Sequence, residues 1–377
     1  MRLKDIKLIL IGILTISVTY FLISSFSGPR TYTTSDPNSS KMQFLRALES
    51  HPYWKETGLN FQPTKKLEVD DSSTPVRQQL AARFPYDPTQ PFPKNIWQTW
   101  KVGIEDETFP KRYFKFQLSW DTKNPEYKHQ VIPDDQCDEL VAQLFEDVPD
   151  VARAYRVMPK SILKADFFRY LILFARGGVY TDIDTVGLKP IDTWMSNMEM
   201  LWGEPNRAGL VVGIEADPDR PDWADWYARR IQFCQWTIQL KKGHPMLREL
   251  ITKITDITLT REKRNELKKV LGKDEGGDIM NWTGPGIFTD TVFNYMNAIL
   301  QAPEVITGKY KWDNIVDWKV FTGMQMPIAI DDVLVLPITS FSPDVSQMGS
   351  KSSTDPMAYA KHMFLGSWKD DGMPEME

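Results

Sequence analysis

The chain has 377 residues, 42% of them hydrophobic, and its 45 Lys+Arg against 50 Asp+Glu leave a net charge of −5. That is enough for one large or two ordinary domains with a sizeable core, and the balance offers no basic field to hold nucleic acid. Only two cysteines occur, Cys137 and Cys234, and no CxxC pair, which excludes a disulfide scaffold and argues against a cysteine zinc site.

Residues 8–26, LILIGILTISVTYFLISSF, contain no charged side chain. As a helix they would span about 28 Å, one hydrocarbon core. Arg2, Lys4 and Lys7 precede them, so the positive-inside rule predicts a cytosolic tail (residues 1–7), a signal-anchor (8–26) and a lumenal remainder. The length of the run and the lack of a small-x-small site after it disfavour a cleaved signal peptide. Residues 27–90 read as a stem: SGPRTYTTSDPNSS is Ser/Thr/Pro-rich and FPYDPTQPFPKN is Pro-rich, with TPVRQQLAARF a short helix within it. Asn38, in an Asn-Ser-Ser sequon, is a glycosylation candidate in this linker.

From about residue 91 strand-like and helix-like segments alternate. NIWQTWKV reads as a strand, KRYFKFQLSWDTKN as a helix, YKHQVIP as a strand and DDQCDELVAQLF as an acid-capped helix. SILKADFFRYLILFARGG is the clearest helix: Ser161 caps it, Leu163, Phe167, Tyr170, Leu171 and Phe174 form one face, and Gly177-Gly178 end it. VYTDIDT and LVVGIEAD read as strands, ADWYARRIQFCQWTIQLKKG as a long helix holding Cys234 as a buried thiol, and DVLVLPITSF as a late strand. The alternation predicts an α/β fold with a largely parallel sheet covered on both faces. Asn281 begins a second sequon, Asn-Trp-Thr, which runs into TGPG and serves either a glycan or the fold and site.

Asp182 and Asp184 flank Ile183 in that VYTDIDT strand. On extended backbone, residues i and i+2 share a side, so the carboxylates would stand together while Ile183 packs inward. Like charges so placed repel unless a cation sits between them, and hard divalent ions prefer oxygen ligands. Such an ion can bridge protein carboxylates to a diphosphate leaving group. A solvated acidic turn is the competing reading. In the preceding helix Asp166 and Arg169, three residues apart, share a face. They form either an intrahelical ion pair or a pair that binds sugar hydroxyls.

The block LKADFFRYLILFARGGVYTDIDT resembles the signature of glycosyltransferase family 32, and PKNIWQTWKVG, GHPMLREL, DIMNWTGPGIFTD, VLPITSFSPDVSQMG and KHMFLGSWK resemble further blocks of that family. The resemblance covers most of residues 80–370. It implies a GT-A fold, a Rossmann-like nucleotide-sugar sheet with a metal at the Asp-x-Asp motif. It implies GDP-mannose as donor, Mn²⁺ as metal, and as acceptor the high-mannose core of an N-glycan, given its first outer-chain mannose in α-1,6 linkage in the Golgi. Asp184 would ligate the metal, Asp182 would contact ribose, donor sugar or metal-bound water, and both would be catalytic. Asp166, Arg169 and Tyr180 would face the donor and Trp100 would stack near its base. His362 is either a second metal ligand or a structural histidine, and Ser367 and Trp368 would donate to the diphosphate. Transfer from an α-donor to an α-linkage is retaining. Two other readings are a family-32 enzyme acting on a different acceptor, such as inositol-phosphoceramide, and a non-catalytic subunit of a mannan-synthesising assembly.

Overall fold

The computed structural model describes residues 75–300, 315–347 and 349–365. The expected anchor, most of the stem, Asn38, Ser367 and Trp368 lie outside them. Among the described residues no helix is long and apolar enough to cross a membrane.

The centre is a seven-stranded sheet in the order β2-β1-β3-β8-β7-β10-β9. Its strands are β1 (Asn95–Trp100), β2 (Lys128–Pro133), β3 (Gly178–Thr181), β7 (Leu210–Ala216), β8 (Gln232–Leu240), β9 (Ile328–Ile330) and β10 (Val333–Leu336). β1 pairs in parallel with β2 and β3, and β7 with β10. β8 runs antiparallel to both neighbours, and β9 antiparallel to β10. Five strands therefore point one way and two against, a mixed sheet with a parallel majority. Short pairs β4 (Thr185–Gly187) with β11 (Ala360–His362), and β5 (Met200–Leu201) with β6 (Glu204–Pro205), complete the strands.

Helix α1 (Val76–Arg83) opens the described chain and α2 (Phe114–Lys123) and α3 (Asp134–Leu144) fall where the sequence predicts. α1 lies in the expected stem, yet Leu80 and Phe84 are buried and the Phe84 ring meets Phe145 and Phe174 at 5.1 and 5.2 Å. Apolar burial thus places the start of the folded unit ahead of residue 91. Helix α4 (Pro149–Val157) leads into α5 (Ser161–Arg176), which begins at Ser161 itself: Lys160 holds the cap position and no side chain caps the helix. α5 is buried from Asp166 to Ala175, all round rather than on one face. It ends where Gly177 and Gly178 take φ of +66° and +105°, conformations open to glycine.

The predicted helix over residues 224–243 is instead strand β8. Eight of its nine residues are buried, and a strand covered on both faces loses the polar alternation that marks a strand, so an apolar run there imitates a helix. Neighbouring residues go to opposite sides. Phe233 meets Phe293 and Phe321, whereas Cys234 joins the core around Trp120, Trp194, Phe341 and Tyr359. Cys234 and Cys137 are both buried free thiols. α6 (Pro245–Lys263), α7 (Glu275–Trp282) and α8 (Pro285–Leu300) follow β8.

Candidate active site

β3 ends at Thr181, so Asp182 and Asp184 stand on the turn that joins β3 to β4 rather than on a strand. Thr185 donates to the Asp182 carbonyl through its N–H (3.1 Å) and its hydroxyl (2.6 Å), and this closes the turn. The turn is fixed from three directions. The Asp182 N–H donates to the Trp236 carbonyl at 2.9 Å, and Gln98 Nε2 and Gln117 Nε2 donate to the carbonyls of Asp182 and Ile183, each at 3.1 Å. Ile183 is buried against Phe109, Tyr113 and Phe116. The expected division of labour survives, apolar residue inward and carboxylates outward, but a turn achieves it instead of strand alternation.

β11 pairs with β4 so that His362 stands opposite Thr185. Its Nε2 is 3.3 Å from Asp184 Oδ1 and 3.8 Å from Asp182 Oδ2. One ligand atom from each of Asp182, Asp184 and His362 falls within 4.8 Å of the others. Ligand oxygens around one hard divalent ion lie roughly 3–4 Å apart, so small side-chain adjustments let this group hold a cation. The Phe364 N–H donates to His362 Nδ1 at 2.8 Å, which places the ring proton on Nε2, facing the carboxylates. Coordination through Nε2 therefore requires that bond to be given up, whereas Asp182 and Asp184 need no change of tautomer to take part. Leu365 N–H donates to Asp184 Oδ2 and Met363 N–H to the Asp184 carbonyl, both at 3.0 Å, so the segment after β11 lies over the turn.

From the other side α5 supplies Asp166 and Arg169. Arg169 Nη2 is 3.1 Å from Asp166 Oδ1 and 3.3 Å from Asp182 Oδ1, and its guanidinium lies over the Tyr180 ring at 5.0 Å. The helical pair is thus both an intrahelical bridge and a link to the acidic turn. Trp100, Arg169, Tyr180, Asp182 and Asp184 line one cavity of about 130 Å³. Arg169 Nε has no hydrogen-bond partner among the described residues.

The charges are uneven. Burial raises the Asp166 carboxyl to about 6, although Arg169 opposes it. Burial also raises Asp184. At Asp182 burial is outweighed by Arg169 and His362, and the carboxyl is held below its usual range. Burial works against a charged His362, but the two carboxylates prevail and raise it.

Sequence reasoning missed the groups that hold Asp166. Thr283 is fully buried and its hydroxyl donates to Asp166 Oδ2 at 3.1 Å, and Gln235 Nε2 donates to Oδ1 at 3.3 Å. Tyr170 in turn donates to Gln235 Oε1 and to the Thr283 carbonyl. Thr283 is the third residue of the Asn281 sequon. Asn281 itself is exposed near the end of α7, donating to Gly277 O and accepting from Arg229. The NWTGPG motif was the available signal: a threonine between two helices, beside Gly284 and Pro285.

A mixed, mostly parallel α/β sheet ending in an Asp-x-Asp turn, faced by an Asp/Arg helix, fits a glycosyltransferase of the Asp-x-Asp class. Residues 110–201 match the family described as "Glycosyltransferase sugar-binding region containing DXD motif". The chain is 72% identical over 374 residues, 99% of this chain and 97% of the relative, to the initiation-specific alpha-1,6-mannosyltransferase of Candida albicans. It is 42% identical to the Saccharomyces cerevisiae protein of the same name, over 78% of this chain and 82% of that one. The chain belongs to the initiation-specific alpha-1,6-mannosyltransferase family. Among solved structures, the PaToxG glycosyltransferase superposes with a TM-score of 0.36 at 19% identity, over 61% of this chain and 77% of that one.

Proposed function

We propose that this chain is a retaining mannosyltransferase of GT-A type that moves mannose from GDP-mannose, in α-1,6 linkage, to the high-mannose core of N-glycans. It would start the outer chain in the Golgi lumen, held in the membrane by residues 8–26 as a single-pass type II protein. One observation carries this assignment: the match, near full length to one relative and over about four-fifths of another, to proteins named initiation-specific alpha-1,6-mannosyltransferase. The site is chemically suited to it. Asp182 and Asp184, with His362 after its tautomer change, would hold a divalent metal, Mn²⁺ in this reading. Bound there, the ion would neutralise charge on a departing diphosphate. Asp166 and Arg169, locked by Thr283 and Gln235, would bind mannose hydroxyls and fix the anomeric carbon, and Trp100 would face the nucleotide. The protein would thus act through positioning and preorganised charge.

The test is to incubate the detergent-solubilised full chain with GDP-mannose, Mn²⁺ and a free high-mannose glycan, and to map the new linkage. Transfer should yield one α-1,6-linked mannose, stop in chelator, and fall at least about a hundredfold in Asp184→Asn. Transfer to inositol-phosphoceramide in place of the glycan, undiminished turnover in chelator, or a fully active Asp184→Asn would overturn the assignment.

A further inference from the structure

β8 divides the site. Gln235 points to the α5 side, where it binds Asp166, while the next residue, Trp236, lies against His362 with ring centroids 4.7 Å apart. Thr181 at the end of β3 pairs with Thr237, and β8 continues from there to Gln232, opposite Ala216 of β7. Five residues at about 3.3 Å each carry the β7–β8 hairpin roughly 15 Å beyond the edge on which the acidic turn sits. The hairpin therefore stands as a wall beside that turn. Asp217 fastens it, accepting from Arg230 Nη1 (2.8 Å), the Thr322 hydroxyl (2.9 Å) and the Gly323 N–H (2.6 Å).

Glu215 lies on this wall, half-buried. Its Oε2 accepts from Gln232 Nε2 at 3.0 Å, and Gln232 Oε1 accepts the Ala228 N–H at 3.0 Å, which fixes the orientation of the amide. The carboxylate also faces the Trp236 indole, the ring that lies against His362. Among the described residues it has no Lys or Arg ion-pair partner. Neutral donors alone face it, so the cost of desolvating its charge is not offset by a cation among the described residues. Trp236 lies between, against His362, so this carboxylate stands on the face of β8 turned away from Asp166. A carboxylate is a strong acceptor for hydroxyls. Further out, Trp226 is 64% exposed with Arg220 over its ring at 5.6 Å, an aromatic plane of the kind on which a pyranose stacks.

We propose that the β7–β8 hairpin is the acceptor wall of the site, and that Glu215 anchors the incoming glycan by accepting a hydrogen bond from one of its hydroxyls. This rests on the mannosyltransferase assignment above. It is tested on the full chain with Mn²⁺, measuring GDP-mannose affinity by calorimetry, acceptor-free release of mannose from GDP-mannose, and acceptor kinetics. Glu215→Gln should leave donor affinity and acceptor-free release within about twofold of wild type while kcat/KM for the glycan falls about tenfold to a hundredfold, the loss of one charge-assisted hydrogen bond. Unchanged glycan kinetics, or a parallel fall in donor affinity, overturns the anchor. Trp226→Ala, at an exposed position that folding does not need, should raise KM for the glycan but not for methyl α-mannoside, and an unchanged glycan KM overturns the wall. A wild-type chain that fails to bind GDP-mannose removes the parent assignment and this inference together. A competent wild type with an equally competent Glu215→Gln removes the inference alone.

Discussion

Thr283→Val separates two roles that the sequence superimposes on one residue, glycan sequon and clamp of Asp166. Valine keeps the shape but removes the hydroxyl that donates to Asp166 Oδ2 at 3.1 Å. A hydrogen bond to a charged group is worth about 1.5–3 kcal/mol, equivalent to roughly one to two pKa units. The Asp166 carboxyl, at about 6, already lies above its ordinary value of 3.8. Ionising it therefore costs the folded state stability as pH rises through that interval, and Thr283→Val enlarges the cost. The variant should be about 1.5–3 kcal/mol less stable than wild type at pH 8, where the charge is enforced. Below about pH 4, where both proteins are protonated at this site, the two should nearly converge. Urea denaturation at both pH values measures the difference. Thr283→Ser keeps hydroxyl and sequon and should behave as wild type. Asn281→Gln removes the sequon but keeps the hydroxyl, and should also leave the pH-dependent part unchanged. Equal denaturation of wild type and Thr283→Val at pH 8, or a deficit reproduced by Asn281→Gln, would refute the clamp.

Two further outcomes follow from the same geometry. Donor kcat/KM of the metal-saturated wild type should decline as pH falls through about 6, because in the proposed role an ionised Asp166 accepts a sugar hydroxyl more strongly than the neutral acid. Thr283→Val should move that limb upward, and a profile flat from pH 7 to 5 would contradict it. Gly178→Ala would put a Cβ at 2.6 Å from the Asn95 carbonyl at a φ of +105°. Strain and overpacking should lower stability by about 2–6 kcal/mol, and an unchanged denaturation midpoint would show that β1 yields freely.

Local signals made much of the molecule legible. Helix α5, its Gly-Gly stop, strands β1, β2 and β7, and the Asp166/Arg169 spacing all follow from short-range periodicity and backbone preference. β8 did not, because two-sided burial erases the polar alternation of a strand. The burial of Leu80 and Phe84 was not legible either, because they look like scattered apolar residues until the core that receives them is present.

The sequence by itself determined the chemistry on offer: two carboxylates one residue apart, an Asp and an Arg on one helical face, a late histidine. It could not determine their meeting. His362 reaches Asp182 and Asp184 because β11 pairs with β4, more than 170 residues away in the chain. Thr283 reaches Asp166 across 117 positions, and Glu215 meets Gln232 only through the register of β7 and β8. Helix spacing and turn chemistry act over a few residues and can be read along the chain. Sheet register and close packing depend on every strand at once, and these decided which of the carboxylates gather at the turn, which is clamped on α5 and which stands on the β7–β8 hairpin.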